Sequence, residues 1–162
     1  MAALLPVVLS SCGGATKLDE VSPDILAVEQ NGETLAVKAQ QSLVSDALAL
    51  TQLGNLVGEI AEGIQADLPG ADKDAKQLML QISYETVDRL GNEGSIDAGT
   101  ITFPMTDLRA ANTDNLIGTM WLGLASNVAV SAGSDPLINH CADADNFAID
   151  HVFCSKVAAA LE

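Results

Sequence analysis

The residues best suited to chemistry lie close together near the end of the chain. Both histidines, His140 and His151, and two of the three cysteines, Cys141 and Cys154, fall within 15 residues. Paired cysteines can form a disulfide, thiolate and imidazole groups can bind zinc, and all four side chains can also simply pack. The segment therefore has three interpretations.

The first interpretation is a disulfide between Cys141 and Cys154. Two nearby cysteines in an exported protein are expected to pair, and closing a loop of this size stabilises the fold by roughly 3 kcal/mol. A continuous helix would hold the two Cα atoms about 20 Å apart, which is beyond the reach of a disulfide. The pairing therefore requires the chain to turn back between them. If the segment is one helix, only Cys12 is left as a partner for either cysteine.

The other two interpretations are a metal site and plain packing. His151 and Cys154 can share one helix face, but the remaining ligand pair would be the adjacent His140 and Cys141. Structural zinc sites take four ligands, usually as two short-spaced pairs, so this spacing is poor. Phe147, His151 and Cys154 also fit one packed helix face at i, i+4 and i+7. We predict the disulfide and no metal or cofactor. His140, Cys141, His151 and Cys154 are weak metal candidates.

Sequence motifs of catalysis are absent from the chain. It has no glycine-rich phosphate loop, no nucleophile elbow and no HExxH sequence. A dyad of Cys154 and His151 would lack a visible third residue to orient it. We therefore predict that the protein is not an enzyme.

Composition narrows the range of partners. The 162 residues include 22 acidic and 7 basic ones, which gives a net charge of −15. Nucleic acids and anionic lipid headgroups require clustered Lys and Arg, so neither is predicted as a partner. Hydrophobic residues make up 48% and aromatic residues only 3% of the chain. This length fits one domain with an aliphatic core.

Residues 25–38 allow two interpretations. The dipeptide Asn31-Gly32 lies between apolar runs, as in a β-hairpin with a tight turn. Alternatively, Asn31 or Thr34 caps the helix that follows. We favour the cap.

The strongest periodic signal lies between residues 34 and 68. Apolar or small residues recur there at alternating spacings of four and three, as on one face of a helix: Leu43, Ala47, Leu50, Gly54, Val57, Ala61, Ile64 and Leu68. Gly54 and Gly58 lie one turn apart, which predicts close approach of a neighbouring helix. Pro69-Gly70 ends the element.

Further helices are predicted along the rest of the chain. One covers residues 71–90 and another begins at Thr106 or Asp107. Residues 116–133 carry no charge, which favours a helix buried in the centre of a bundle over a membrane span. Asp135 and Pro136 are typical of the start of a last helix. These elements predict a mainly α fold, a three- to four-helix bundle with or without a small N-terminal β-hairpin.

The two ends of the chain carry local resemblances. Leu9-Ser10-Ser11-Cys12 resembles the lipobox of bacterial lipoproteins, which implies cleavage before Cys12 and lipidation of its thiol. The last five residues, 158–162, resemble the linker that expression vectors place before a C-terminal His tag. We therefore divide the chain into a signal-like segment (1–12), a linker or hairpin (13–33), a helical domain (34–157) and a vector-derived tail (158–162).

The function predicted from these features is non-catalytic binding. We expect an exported bacterial protein of the periplasm or cell surface that binds or scaffolds an unidentified protein or small ligand. Its membrane contact would be a lipid anchor at Cys12. A first alternative is a self-assembling subunit of a filament, because the C-terminal Cys pair resembles the disulfide loop of type IV pilins. A second is a helical bundle that binds a metal or small ligand.

Overall fold

The structure is a computed structural model that describes residues 14–42 and 45–162. Cys12 and the lipobox-like residues lie outside the described residues, so lipidation there remains a prediction. The described chain forms one five-stranded mixed sheet with helices packed against it, in the strand order β1-β2-β3-β4-β5. The predicted mainly α bundle is therefore wrong.

The first two strands form the hairpin. β1 (Ile25–Asn31) pairs antiparallel with β2 (Thr34–Gln41) through the two-residue turn Gly32-Glu33. Gly32 has a φ of 61° at the first turn position, where type II′ turns take glycine. The hairpin interpretation is right, and the favoured helix cap at Asn31 or Thr34 is wrong.

The predicted long helix is present only in its second part. α1 (Asp46–Gln65) begins after Ser45, whose hydroxyl accepts a hydrogen bond from the amide of Leu48. Its buried face follows the helical spacing read from the sequence: Ala49, Leu50, Leu53, Leu56, Val57, Ile60, Ala61 and Ile64. Residues 34–41 form β2 instead, because they pair with β1 on one side and with residues 77–84 on the other.

The predicted second helix is a strand. β3 (Gln77–Val87) runs parallel to β2, with α1 as the crossover, and antiparallel to β4 (Glu93–Pro104). Every second residue of β3 is buried, in the order Leu78, Leu80, Ile82 and Tyr84. This period of two matches a sheet with one covered face and not a helix. The prediction of a helix over residues 71–90 is wrong.

The uncharged segment is also not one helix. After the short α2 (Met105–Ala110), it forms a 3₁₀ helix (Gly118–Leu124) and the edge strand β5 (Asn127–Val130). β5 pairs with β4, so its backbone groups find partners in the sheet instead of in a helix. The buried-helix prediction for residues 116–133 is wrong. None of the helices in the described ranges has the length and apolar content that crossing a membrane requires.

Three short helices end the chain: α3 (Asp135–Ala142), α4 (Ala144–Ile149) and α5 (His151–Ala159). α3 carries Pro136 in its first turn as expected, although its N-cap is Ser134 and not Asp135. The predicted last helix is thus broken twice, at Asp143 and at Asp150.

One side of the sheet carries the hydrophobic core. The alternate buried residues of the strands join the apolar face of α1, the 3₁₀ helix and the C-terminal helices in one cluster. The opposite side presents residues such as Lys38, Gln81 and Thr100, which are exposed or partly exposed. This sheet is therefore half-covered, as antiparallel and mixed sheets commonly are.

Gly54 and Gly58 of α1 allow the predicted close approach of a neighbour, which is the 3₁₀ helix. A Cβ atom at Gly54 would lie 2.0 Å from the carbonyl oxygen of Gly118. A Cβ atom at Gly58 would lie 2.8 Å from Nε1 of Trp121, whose indole is buried. Backbone contact at Gly54 therefore sets the position of the 3₁₀ helix, which is one wall of the site described next.

Candidate functional site

The cysteines meet because the C-terminal segment turns back on itself. The structure joins Cys141 of α3 to Cys154 of α5 by a disulfide, with the Cα atoms 5.2 Å apart. Asp143 makes the first break: its backbone is extended, and its carboxylate caps α4 by accepting from the amides of Asp145 and Asn146. Such bonds persist in oxidising compartments and are rare in the reducing cytosol. The disulfide therefore indicates an oxidising, exported environment.

A polar pair lies beside the disulfide. Nε2 of His140 is 2.9 Å from Oδ2 of Asp150, and only 7% and 8% of these side chains are exposed. Nδ1 of His140 is buried and has no hydrogen-bond partner among the described residues. The pair joins the end of α3 to the start of α5, as the disulfide does. It acts as a second clamp between these two helices.

The structure does not arrange the weak metal candidates as a set of metal ligands. Cys141 and Cys154 are consumed by the disulfide, His140 bonds Asp150, and His151 is exposed. Throughout residues 14–42 and 45–162, no group of three or more His, Cys, Asp or Glu side chains is placed to hold a metal ion. Zinc binding by these residues has no geometric support.

The end of α4, the start of α5 and the 3₁₀ helix form a groove of about 370 Å³, here called the apolar groove. Its walls are mostly hydrophobic: Leu116, Thr119, Met120, Gly123, Ile149, Asp150, His151, Val152 and Phe153. Met120 is 49% exposed and Ile149 is 74% exposed, and α4 has no buried residue. Clustered exposed hydrophobic residues of this kind mark interaction sites.

The C-terminal segment that supplies residues 149–153 to the groove is mostly negative. Residues 135–162 carry one cation, Lys156, against five acids: Asp135, Asp143, Asp145, Asp150 and Glu162. Nζ of Lys156 donates to the carbonyl of Val152, so its ammonium is already engaged on α5. None of the residues that line the groove is Lys or Arg. The groove therefore favours an apolar ligand with positive charge beside it.

A second cavity, of about 470 Å³, lies over the open face of the sheet. Three of the polar side chains that line it are already bonded within the protein. Lys38 pairs with Glu29 at 2.9 Å, and the hydroxyl of Ser83 donates to the carbonyl of Ala39. The carboxylate of Asp97 accepts from a backbone amide. With Lys38, Ser83 and Asp97 engaged in this way, this cavity gives weaker support for ligand binding than the apolar groove.

Sequence reasoning found the cysteines of this region but missed its surface. Met120 lay in a segment expected to be buried, and Ile149 and Asp150 were not singled out. The uncharged composition of residues 116–124 was a signal of contact with something apolar. It could not distinguish the protein's own core from a partner.

Comparison of the chain with protein-family models, curated proteins and solved structures gives no match. The class that the structure defines is an α/β protein with a half-covered mixed sheet and a disulfide-clamped helical end. Its function must therefore be argued from this chain's own surface.

Proposed function

We propose that the protein is an exported, non-catalytic binding protein whose apolar groove receives a segment of another polypeptide. The proposed ligand carries a bulky apolar residue next to a cation. The observation that carries this proposal is the exposure of Met120 and Ile149, which both line one groove. Burying such side chains removes apolar area from water and contributes about 25 cal/mol per Å².

Charge supports the cationic part of the ligand. The chain carries a net charge of −15, and five acids outnumber the single lysine in residues 135–162, the segment that forms part of the groove. A negative field raises the association rate of cationic partners and disfavours acidic ones. The apolar walls would then supply the short-range affinity, while charge selects among partners.

Burial supports a non-catalytic role. The His140–Asp150 pair is the arrangement nearest to an acid–base dyad in the candidate site, and both side chains are more than nine-tenths buried. The exposed histidine, His151, has no hydrogen bond from its ring and no ion pair within the described residues. Neither arrangement offers a substrate a positioned base.

The location we propose is the periplasm or the cell surface. The disulfide supports an oxidising compartment. The resemblance of residues 9–12 to a lipobox supports a lipid anchor at Cys12. Radiolabelled fatty acid incorporated by the natural gene product, and lost in Cys12→Ala, tests the anchor separately from binding.

The binding proposal can be tested with the fluorescence of Trp121, the single tryptophan. Its Nε1 donates to the carbonyl of Leu116, which lines the groove, so the indole lies next to the ligand site. The probe is an amphipathic peptide of Leu and Lys residues, titrated into the oxidised protein. We expect a saturable change in emission, and none with a peptide of Leu and Glu.

Two variants locate the binding. Met120→Asp places a charge in the groove and should weaken peptide binding by roughly tenfold or more. Leu48→Asp is the matched control, because Leu48 is 50% exposed against 49% for Met120 and does not line the groove. Absence of saturable binding, or equal loss in both variants, would contradict the proposal.

A further inference from the structure

The hairpin of β3 and β4 extends beyond the rest of the sheet. Pairing of β3 with β2 ends at Tyr84, and pairing of β4 with β5 begins at Gly99. In the described part of the chain, the strand residues between 85 and 95 pair only with each other. We call residues 85–95 the arm. The arm contains three residue pairs. Because a β-strand rises about 3.3 Å per residue, its tip lies about 10 Å beyond the rest of the sheet.

The arm is held at its base. The carboxylate of Glu85 accepts hydrogen bonds from Nε2 of Gln40 at 3.3 Å and from the hydroxyl of Ser42 at 2.5 Å. Gln40 is in the last part of β2 and Ser42 follows directly after it, so both donors tie the arm to the body of the sheet. An arm fixed at its base loses less conformational entropy when its tip binds.

The tip of the arm is an ordered turn. The carboxylate of Asp88 accepts from the amides of Leu90 and Asn92 and from the side-chain amide of Asn92. The Asn92 side chain and these amides hold the pKa of Asp88 below its ordinary value of 3.8. Gly91 adopts a φ of 82°, which closes the turn at little steric cost. The turn thus presents its outer residues in one arrangement.

Those outer residues are an apolar side chain and a cation. Leu90 is 87% exposed, and Val87 is exposed beside it. Arg89 is exposed, and of the seven basic residues it alone has neither an ion pair nor a hydrogen bond within the described residues. The tip therefore has the chemistry that the apolar groove favours: a bulky apolar residue next to an unpaired cation.

We propose that the arm of one copy inserts Leu90 into the apolar groove of a second copy of this chain. Arg89 then lies near the acidic C-terminal segment that forms part of that groove. This inference rests on the proposed function, because it names one occupant of the same site. The arm and the groove are different surfaces, so the contact can repeat from copy to copy as a ring or an open filament, and two copies can also exchange arms in a two-fold dimer.

Charge makes the association dependent on salt. Two copies each carry a net charge of −15 and repel each other at low ionic strength. Salt screens this long-range repulsion while it leaves the apolar contact intact. Self-association should therefore strengthen from low to moderate salt, whereas a complex dominated by ion pairs would weaken.

The test uses two variants of the oxidised full chain in sedimentation-velocity runs at moderate salt. Leu90→Asp removes the apolar tip and keeps the groove, and Met120→Asp damages the groove and keeps the tip. Wild type is expected to form a concentration-dependent series of oligomers, and each variant alone should be monomeric. Mixed, the variants should form a one-to-one dimer, because the intact tip of one meets the intact groove of the other.

Recovery in the mixture also shows that both variants are folded. Oligomers that persist in Leu90→Asp, or a mixture of two folded variants that stays monomeric, would overturn the inference. A wild-type chain that stays monomeric at millimolar concentration would do the same. If the Leu and Lys peptide still binds in that case, the proposed function stands and only its occupant is wrong. If peptide binding also fails, both proposals fail.

Discussion

The sheet with α1 and the C-terminal helical segment are held together by different forces. α1 buries a continuous apolar face against the sheet, and β3 pairs along most of its length with strands on both sides. In residues 135–159, α4 has six residues and buries none, and helices of this length are marginal in water. α3 and α5 bury Leu137, Phe153 and Val157 in the core, and α4 between them is held by the Cys141–Cys154 disulfide and the His140–Asp150 pair.

This difference explains where the candidate site lies. A segment that buries its hydrophobic residues stabilises the fold but has none left for a partner. The C-terminal helices are fixed by two cross-links, so Ile149 and Val152 stay on the surface without collapsing the segment. Three experiments can break or sharpen the comparison.

The largest expected effect lies in the body of the fold. Gly54→Ala would place a Cβ atom 2.0 Å from the Gly118 carbonyl oxygen, so α1 and the 3₁₀ helix must separate. We expect a loss of about 4 kcal/mol in the free energy of unfolding, measured by urea denaturation. Gly123→Ala is the control, because nothing lies within 4 Å of its Cβ position. Equal stability of the two variants would show that the close packing of α1 is not essential.

An intermediate effect is expected at the disulfide. Replacing Cys141 and Cys154 together by Ala should cost about 3 kcal/mol, since the unfolded chain is no longer cross-linked. Hydrogen exchange should rise first in residues 135–159, while amides of β2 and β3 stay protected. Reduction of the wild-type bond is the parallel control. A uniform rise across the sheet would show that the two regions unfold as one unit.

The smallest expected effect is the difference in stability between variants of the two histidines. His140→Ala leaves the buried carboxylate of Asp150 without its partner and should cost about 2 kcal/mol in unfolding free energy. His151→Ala removes an exposed ring and should change stability little. Thermal denaturation of both variants checks this difference. If their midpoints coincide, the polar pair contributes nothing as a clamp.

Local sequence signals predicted some elements well. The four-and-three spacing of residues 50–64 specified α1, because a single buried helix face produces that spacing wherever the helix packs. Gly32 indicated a hairpin turn, although the competing interpretation of a helix cap at Asn31 or Thr34 was favoured. The spacing of Cys141 and Cys154 required a turn between them if they pair, and the structure has two helix breaks there.

β3 shows why the fold class was missed. Leu78, Met79 and Ile82 fit one face of a helix, but Leu78, Leu80 and Ile82 fit one face of a strand equally well. Leu, Met and Gln are good helix formers, so local preference favoured the helix. Pairing with β2 and β4 on both sides outweighs that preference, and neither partner is visible in residues 77–87 alone.

The sequence by itself determined the acidic charge, the aliphatic core, the helical face of α1 and a cysteine pair able to close a short loop. These depend on composition and on spacing within one turn or one loop. Only the tertiary structure decided that residues 77–87 form a strand, that Asp150 meets His140, and that the groove and the arm are exposed. Strand pairing and burial depend on residues far apart in the chain, which no local pattern specifies.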